Sequence, residues 1–194
     1  MSHPSIHMKD HRMLAMSRQA LAALRTALLR DAGADGAAVL RDAGFAGGES
    51  VYTSFADWLR ARASVAPETL SVDAFQERAA EYFRETGWGS LSLGSLHDVV
   101  ATVDSPNWEE ADPSAHLDHP GCHFTTGLFA DFFGRVSDDP LAVLEVECRS
   151  AGASRCRFLL GSGEVMNYVF DALEHGGGYQ DAVARVRDAS VGAA

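Results

Sequence analysis

Four residues could do chemistry together: Cys122, Glu145, Cys148 and Cys156. All three cysteines of the 194-residue chain fall in its later part, and two of them are eight positions apart. That spacing predicts Cys148 at the end of one strand and Cys156 at the start of the next, with a turn at Gly152 bringing the sulfurs together. Glu145 lies three residues before Cys148. Strict alternation would send the two side chains to opposite faces, so a bend or bulge is expected near Glu147. Cys122 opens an aromatic-rich helix, where the N-terminal dipole favours the thiolate, the form that ligates metal. Three sulfurs and a carboxylate could close a tetrahedral zinc site, and soft sulfur favours zinc over magnesium or calcium. A plainer reading is also open: three buried cysteines packed as small hydrophobes, and a surface glutamate.

Other reactive side chains form weaker patterns. Eight histidines are present, with His3, His7 and His11 near the start and His97, His116, His119 and His123 later. The loop from His116 to His123 could supply a second metal or tetrapyrrole ligand, or simply be solvated. Glu109, Glu110 and Asp112 read as a solvated acidic loop face. Cys122 and His123 are adjacent, so their side chains diverge on a helix and suggest no catalytic triad.

Composition narrows the function classes. Hydrophobic residues make up 46% and charged residues 22%, the balance of a globular domain. The formal net charge of −11 supplies no basic face for nucleic acid. Lys9 is the only lysine, so no P-loop can be written. No apolar run is long enough to cross a bilayer, and the residues from Met1 to Arg12 lack a signal-peptide core. An odd cysteine count without a secretory signal points to reduced thiols in the cytoplasm.

The elements that must position the four residues follow from periodicity. Met13 to Arg30 reads as an amphipathic helix, with Leu14, Leu21, Leu24 and Leu28 on one face. Asp31-Ala32-Gly33 ends it, and Ala34 to Ala46 continues as a second helix. Gly36, Gly44, Gly47 and Gly48 weaken helix propensity, so they imply close backbone packing or a break. Ser54 to Ala63 and Ser71 to Glu85 are further helices, the second capped by Ser71 or Asp73. Trp88 to Leu96 and His97 to Val103 read as strands joined around Gly94. A proline-marked loop covers Asp104 to Gly121. Cys122 to Val136 is a helix, Leu141 to Cys148 and Arg155 to Leu160 are strands, and Gly163 to Glu174 is the last helix. The expected fold class is α+β, with helices packed on an antiparallel sheet. Residues 1–12 form a flexible segment, 13–178 a single domain and 179–194 a C-terminal tail.

Three stretches carry a family resemblance: Gly121-Cys122-His123-Phe124-Thr125-Thr126-Gly127-Leu128, then Leu144-Glu145-Val146-Glu147-Cys148-Arg149, then Gly152 and Cys156-Arg157-Phe158. Together they resemble the C-terminal signature of the 4-vinyl reductase (4VR) domain. A weaker likeness upstream, through Gly44 to Gly48 and Val103-Asp104-Ser105, extends it over roughly residues 20 to 175. Such domains occur in the sensing modules of phenol- and xylene-responsive activators and in a bacteriochlorophyll-synthesis protein, and share a fold with a vesicle-tethering subunit family. The resemblance implies zinc held by Cys122, Glu145, Cys148 and Cys156. Phenol sensors of the family fix the ligand hydroxyl with a histidine and a tryptophan. The tryptophan position corresponds here to Thr102 or a neighbour.

The candidate ligand-lining residues are Phe83, Trp88, Val100, Thr102, Phe129, Phe132 and Val143, with plain core packing as the alternative for each. The expected function is a zinc-stabilised sensor or carrier of a hydrophobic, aromatic small molecule, more a binder than an enzyme. An enzyme or accessory protein of tetrapyrrole metabolism and a structural assembly module are the alternatives. A homodimer could form through the apolar face of Met13 to Leu29, which a core face would explain equally well.

Overall fold

A computed structural model describes residues 13–14 and 16–192. The expected N-terminal segment, 1–12, lies outside the described residues. The elements are α1 (Arg18–Ala63), α2 (Val72–Glu85), β1 (Ser92–Leu96), β2 (Val100–Ser105), α3 (His123–Ser137), β3 (Ala142–Glu147), β4 (Cys156–Gly161), α4 (Gly163–Glu174) and α5 (Tyr179–Gly192). The four strands form one antiparallel sheet in the order β1-β2-β4-β3. This is the α+β class that the pattern of elements implied. Among the described residues, no helix is long and apolar enough to cross a membrane.

Three expected N-terminal helices merge into α1, broken only at Gly33, whose φ of 51° and ψ of −120° suit glycine alone. Beyond the break, the glycines answer the propensity problem they posed. A Cβ on Gly44 would stand 1.9 Å from the Phe124 carbonyl oxygen, and one on Gly127 would stand 1.9 Å from that of Arg41. The backbones of α1 and α3 therefore touch, which fixes where α3 begins and so where Cys122 sits. Ahead of the break, Leu24 is 52% exposed while Leu21 and Leu28 are half-buried. The apolar face expected there is thus only partly a core face.

Two expectations on the sheet need correction. Gly94 lies inside β1, and the reversal falls at His97 and Asp98, both with φ near 55°. Short polar side chains tolerate that left-handed backbone. Trp88 to Leu91 is not strand either. Its backbone bonds elsewhere: the Ser90 N–H donates to Asn107 Oδ1 (2.8 Å), and the Trp88 carbonyl accepts from the Glu109 N–H (2.9 Å).

The two faces of the sheet carry separate cores. Val103 and Phe158 face α1, α2 and α3, joining the large aromatic cluster. Val100 and Leu159 face α4 and α5. The segment expected as a tail supplies part of this second core: α5 buries Ala182 and Val183.

Candidate metal centre

Each of the four ligand-type side chains arrives from a different local device. Cys122 is the N-cap residue of α3. Glu145 pairs with Phe158 across β3 and β4, and the register then slips so that Glu147 pairs with Arg157. That bulge is the one the spacing required, and it turns Glu145 and Cys148 towards one point. After Cys148 a tight turn runs through Arg149–Ala151 to Gly152, whose φ of 86° favours glycine. Ala151 and Ala153 both donate backbone hydrogen bonds to the Cys148 carbonyl, at 3.0 and 3.1 Å. Cys156 then opens β4.

The resulting cluster is buried, and its four ligand atoms lie within 4.8 Å of one another. Cys122 Sγ is 3.8 Å from Cys148 Sγ and 3.9 Å from Cys156 Sγ. These are not disulfides. The separations match the ~3.8 Å edge of a tetrahedron built on metal–sulfur bonds of ~2.3 Å. Glu145 completes the fit. Its Oε2 accepts the Cys122 N–H at 2.8 Å, while its Oε1 is buried with no hydrogen-bond partner. A buried carboxylate oxygen without a partner is costly unless a cation takes its lone pair.

The electrostatics agree. Burial, then the neighbouring Cys148 charge, pushes the Glu145 carboxyl well above its ordinary range. Cys122 is held far above the usual thiol range by hydrogen bonds to Cys148 and Cys156 and by burial. Cys148 goes the other way, because it accepts those hydrogen bonds. Alone, then, the cluster resists carrying more than one negative charge. A bound cation reverses that preference. Three thiols and a carboxylate could bind a metal ion here. This is the one such group of three or more side chains among the described residues. His119 and His123 stack edge to face at 6.4 Å without a third partner, and burial lowers the His123 pKa to about 4.

One residue of the acidic loop behaves unexpectedly. Glu110 is buried, not solvated. Its Oε1 accepts the Phe124 N–H (3.0 Å), and its Oε2 accepts the Thr125 N–H (2.8 Å) and the Thr125 hydroxyl. Trp108 Nε1 donates to the same hydroxyl at 2.7 Å, and Arg25 donates to the Glu110 carbonyl. The carboxylate thus satisfies amides in the first turn of α3 from 14 and 15 positions away in sequence, a role that no local cap pattern reveals. Burial pushes its pKa up to about 7, against the Thr125 hydrogen bonds.

The candidate ligand-lining residues do not all meet. Phe83, Phe129 and Phe132 are fully buried and packed on one another, with Phe83–Phe132 centroids 5.2 Å and Phe83–Phe129 centroids 5.7 Å apart. Trp88 stacks on Trp108 at 5.6 Å at the edge of this group. Val143 is half-buried at the rim of a shallow surface concavity of about 190 Å³. Val100 lies with the α4–α5 core, and Thr102, of the same strand parity and paired with Leu159, shares that face. Strand alternation therefore keeps Val100 and Thr102 away from the aromatic group.

Fold and site together define an α+β domain with a buried three-cysteine, one-glutamate knuckle that ties a helix start to a β-hairpin. Comparison with known proteins gives that class a family: the model of the 4-vinyl reductase (4VR) domain matches residues 107–162, the segment that carries the whole knuckle. The chain aligns with the crystal structure of the phenol-responsive sensory domain of the transcription activator PoxR, with phenol, at a TM-score of 0.58 and 18% identity, covering 76% of this chain and 75% of that one. That likeness is one of fold. A vinyl-4-reductase family protein from Methanocaldococcus jannaschii aligns with a TM-score of 0.44 and 17% identity, over 62% of this chain and 66% of that one. An uncharacterized protein from the same organism is 27% identical over 78 residues, 40% of this chain and 41% of its own length. The chain therefore spans about two fifths of that curated relative.

Proposed function

We propose that the chain is a zinc-anchored domain that senses or carries a hydrophobic, aromatic small molecule. The observation that carries the reading is the partnerless Glu145 Oε1 facing three clustered thiols. Four protein ligands leave no open coordination position, so the zinc is structural and supplies no nucleophile. It pins the start of α3 to the β3–β4 hairpin. Phe129 and Phe132, further along α3, fill the space against Phe83 and Phe158. An aromatic ligand would bind by opening these rings, and the work of separating them would shift α3 against its anchored end. The PoxR domain, solved with phenol, shares this fold.

The test combines metal content with ligand stabilisation. Elemental analysis should give about one zinc per chain, and phenol should raise the melting temperature with the logarithmic concentration dependence of mass action, ~2.7 kcal/mol at one hundred times Kd. Absence of zinc with full stability in a strong chelator would overturn the anchor. A melting temperature indifferent to phenol and to larger aromatic alcohols would overturn the ligand.

A further inference from the structure

We propose a second, polar ligand site in this domain, separate from the aromatic core, for a small carboxylate that carries an ammonium or hydroxyl group on the adjacent carbon. A concavity of about 420 Å³ lies between the first turn of α1, residues 107–113 and the turn after β3. This volume falls within the range of small-molecule sites, roughly 300–1,000 Å³. Its polar lining is Arg18, Gln19, Asn107, Glu109, Asp112 and Arg149, over a floor of two alanines and a proline. An apolar ligand has nothing to bury there.

The charges are unevenly satisfied. Arg18 is paired with Glu109, and Asp112 Oδ1 accepts from both the N–H and the hydroxyl of Ser114. Arg149 has no ion pair or side-chain hydrogen bond among the described residues. A guanidinium free to bond in a walled concavity is matched by a carboxylate, which it can grip with two parallel hydrogen bonds. Glu109 and Asp112 on the same wall favour a donor on that ligand, so a bare anion such as acetate satisfies only half of the site. The base is rigid. The Asp112 N–H donates to the buried Ser150 hydroxyl (2.8 Å), the Leu117 N–H donates to the Ser150 carbonyl (2.8 Å), and Arg25 holds the loop to α1 through the Glu110 carbonyl. A ligand on Arg149 that competed for Glu109 would release Arg18, so occupancy would be read out by the first turn of α1. This site stands or falls independently of the aromatic-ligand reading.

Isothermal titration of the full chain with L-serine, glycolate, acetate and methylamine tests it. Serine or glycolate should bind, acetate about tenfold or more weakly, and methylamine not at all. Preference for serine identifies the ammonium class, and preference for glycolate the hydroxy-acid class. Arg149→Gln should weaken the preferred ligand at least about tenfold, and Arg149→Lys should restore part of the loss. Because Arg149 adjoins Cys148, zinc content and melting temperature are measured on each variant. Glu109→Gln, remote from the metal, should reduce the advantage over acetate. No binding of serine or glycolate at about 10 mM, on the order of the weakest affinities worth assigning, overturns the site. So does binding that Arg149→Gln and Glu109→Gln both leave unchanged.

Discussion

Glu145 shows how one side chain can serve two purposes: Oε2 fixes the Cys122 amide while Oε1 is left for a metal. This predicts unequal costs at the knuckle. Cys148→Ser removes a soft ligand and should abolish stoichiometric zinc and lower the melting temperature sharply, because structural zinc contributes directly to folding. Glu145→Gln keeps an oxygen acceptor for the Cys122 N–H but gives up the charge, so it should retain some zinc and weaken affinity to a lesser degree. Competition with a chromophoric chelator measures both, and equal affinities in the two variants would contradict the assigned division of labour. The four residue types were legible from sequence because thiols and carboxylates are rare enough in combination to notice. Glu110 was not legible, since its amide partners are 14 and 15 residues ahead and its neighbours Glu109 and Asp112 sit on solvated surface.

At the scale of elements, α1 and α3 are set by glycine contacts that act only across the pair. Gly44→Ala places a methyl carbon where the Phe124 carbonyl oxygen already lies, so it should destabilise the domain by about 2–3 kcal/mol despite the better helix propensity of alanine. Gly47 has nothing within 4 Å of the same position. Gly47→Ala should therefore stabilise by up to ~1 kcal/mol. Chemical denaturation of the two variants reads the opposite signs directly, and the same sign for both would mean the helices are not in backbone contact. Glycine content alone had left close packing and a helix break as alternatives. Both occur, the break at Gly33 and the packing at Gly44 and Gly48. The bulge near Glu147 was foreseeable because two side chains three apart had to converge. The reversal at His97 and Asp98 was not, because Gly94 offered a stronger local turn signal than a histidine and an aspartate.

For the molecule as a whole, the buried Glu110 makes folding depend on pH. Its folded pKa of about 7 lies above the ordinary 4.5, so the folded state binds this proton more tightly than the unfolded chain. Its contribution to stability is fully present below about pH 4.5 and is lost as the pH rises through about 7. Glu110→Gln, which cannot titrate, should flatten that part of the stability profile. Denaturant midpoints of the wild type and the variant from about pH 4.5 to about pH 8 measure the difference, and parallel profiles would count against a buried titrating carboxylate. The second core under α4 and α5 also belongs to this scale. Its members Val100, Leu159 and Val183 are far apart in sequence, so the segment containing α5 read as a tail until the sheet gave it a surface.

What the sequence determined by itself is chemical and local: the cysteine–glutamate set, the need for a bulge, the Ser71 cap confirmed by its bond to the Ala74 amide, and the α+β order of elements. Each depends on neighbours within a few positions, where bond geometry and side-chain period leave few choices. Tertiary structure alone decided that Phe83, Phe129 and Phe132 fill their own space, that Thr102 faces the opposite core, and that Glu110 is buried beneath α3. Those outcomes depend on which surfaces meet after the chain has closed on itself, and close packing, not local propensity, selects among them.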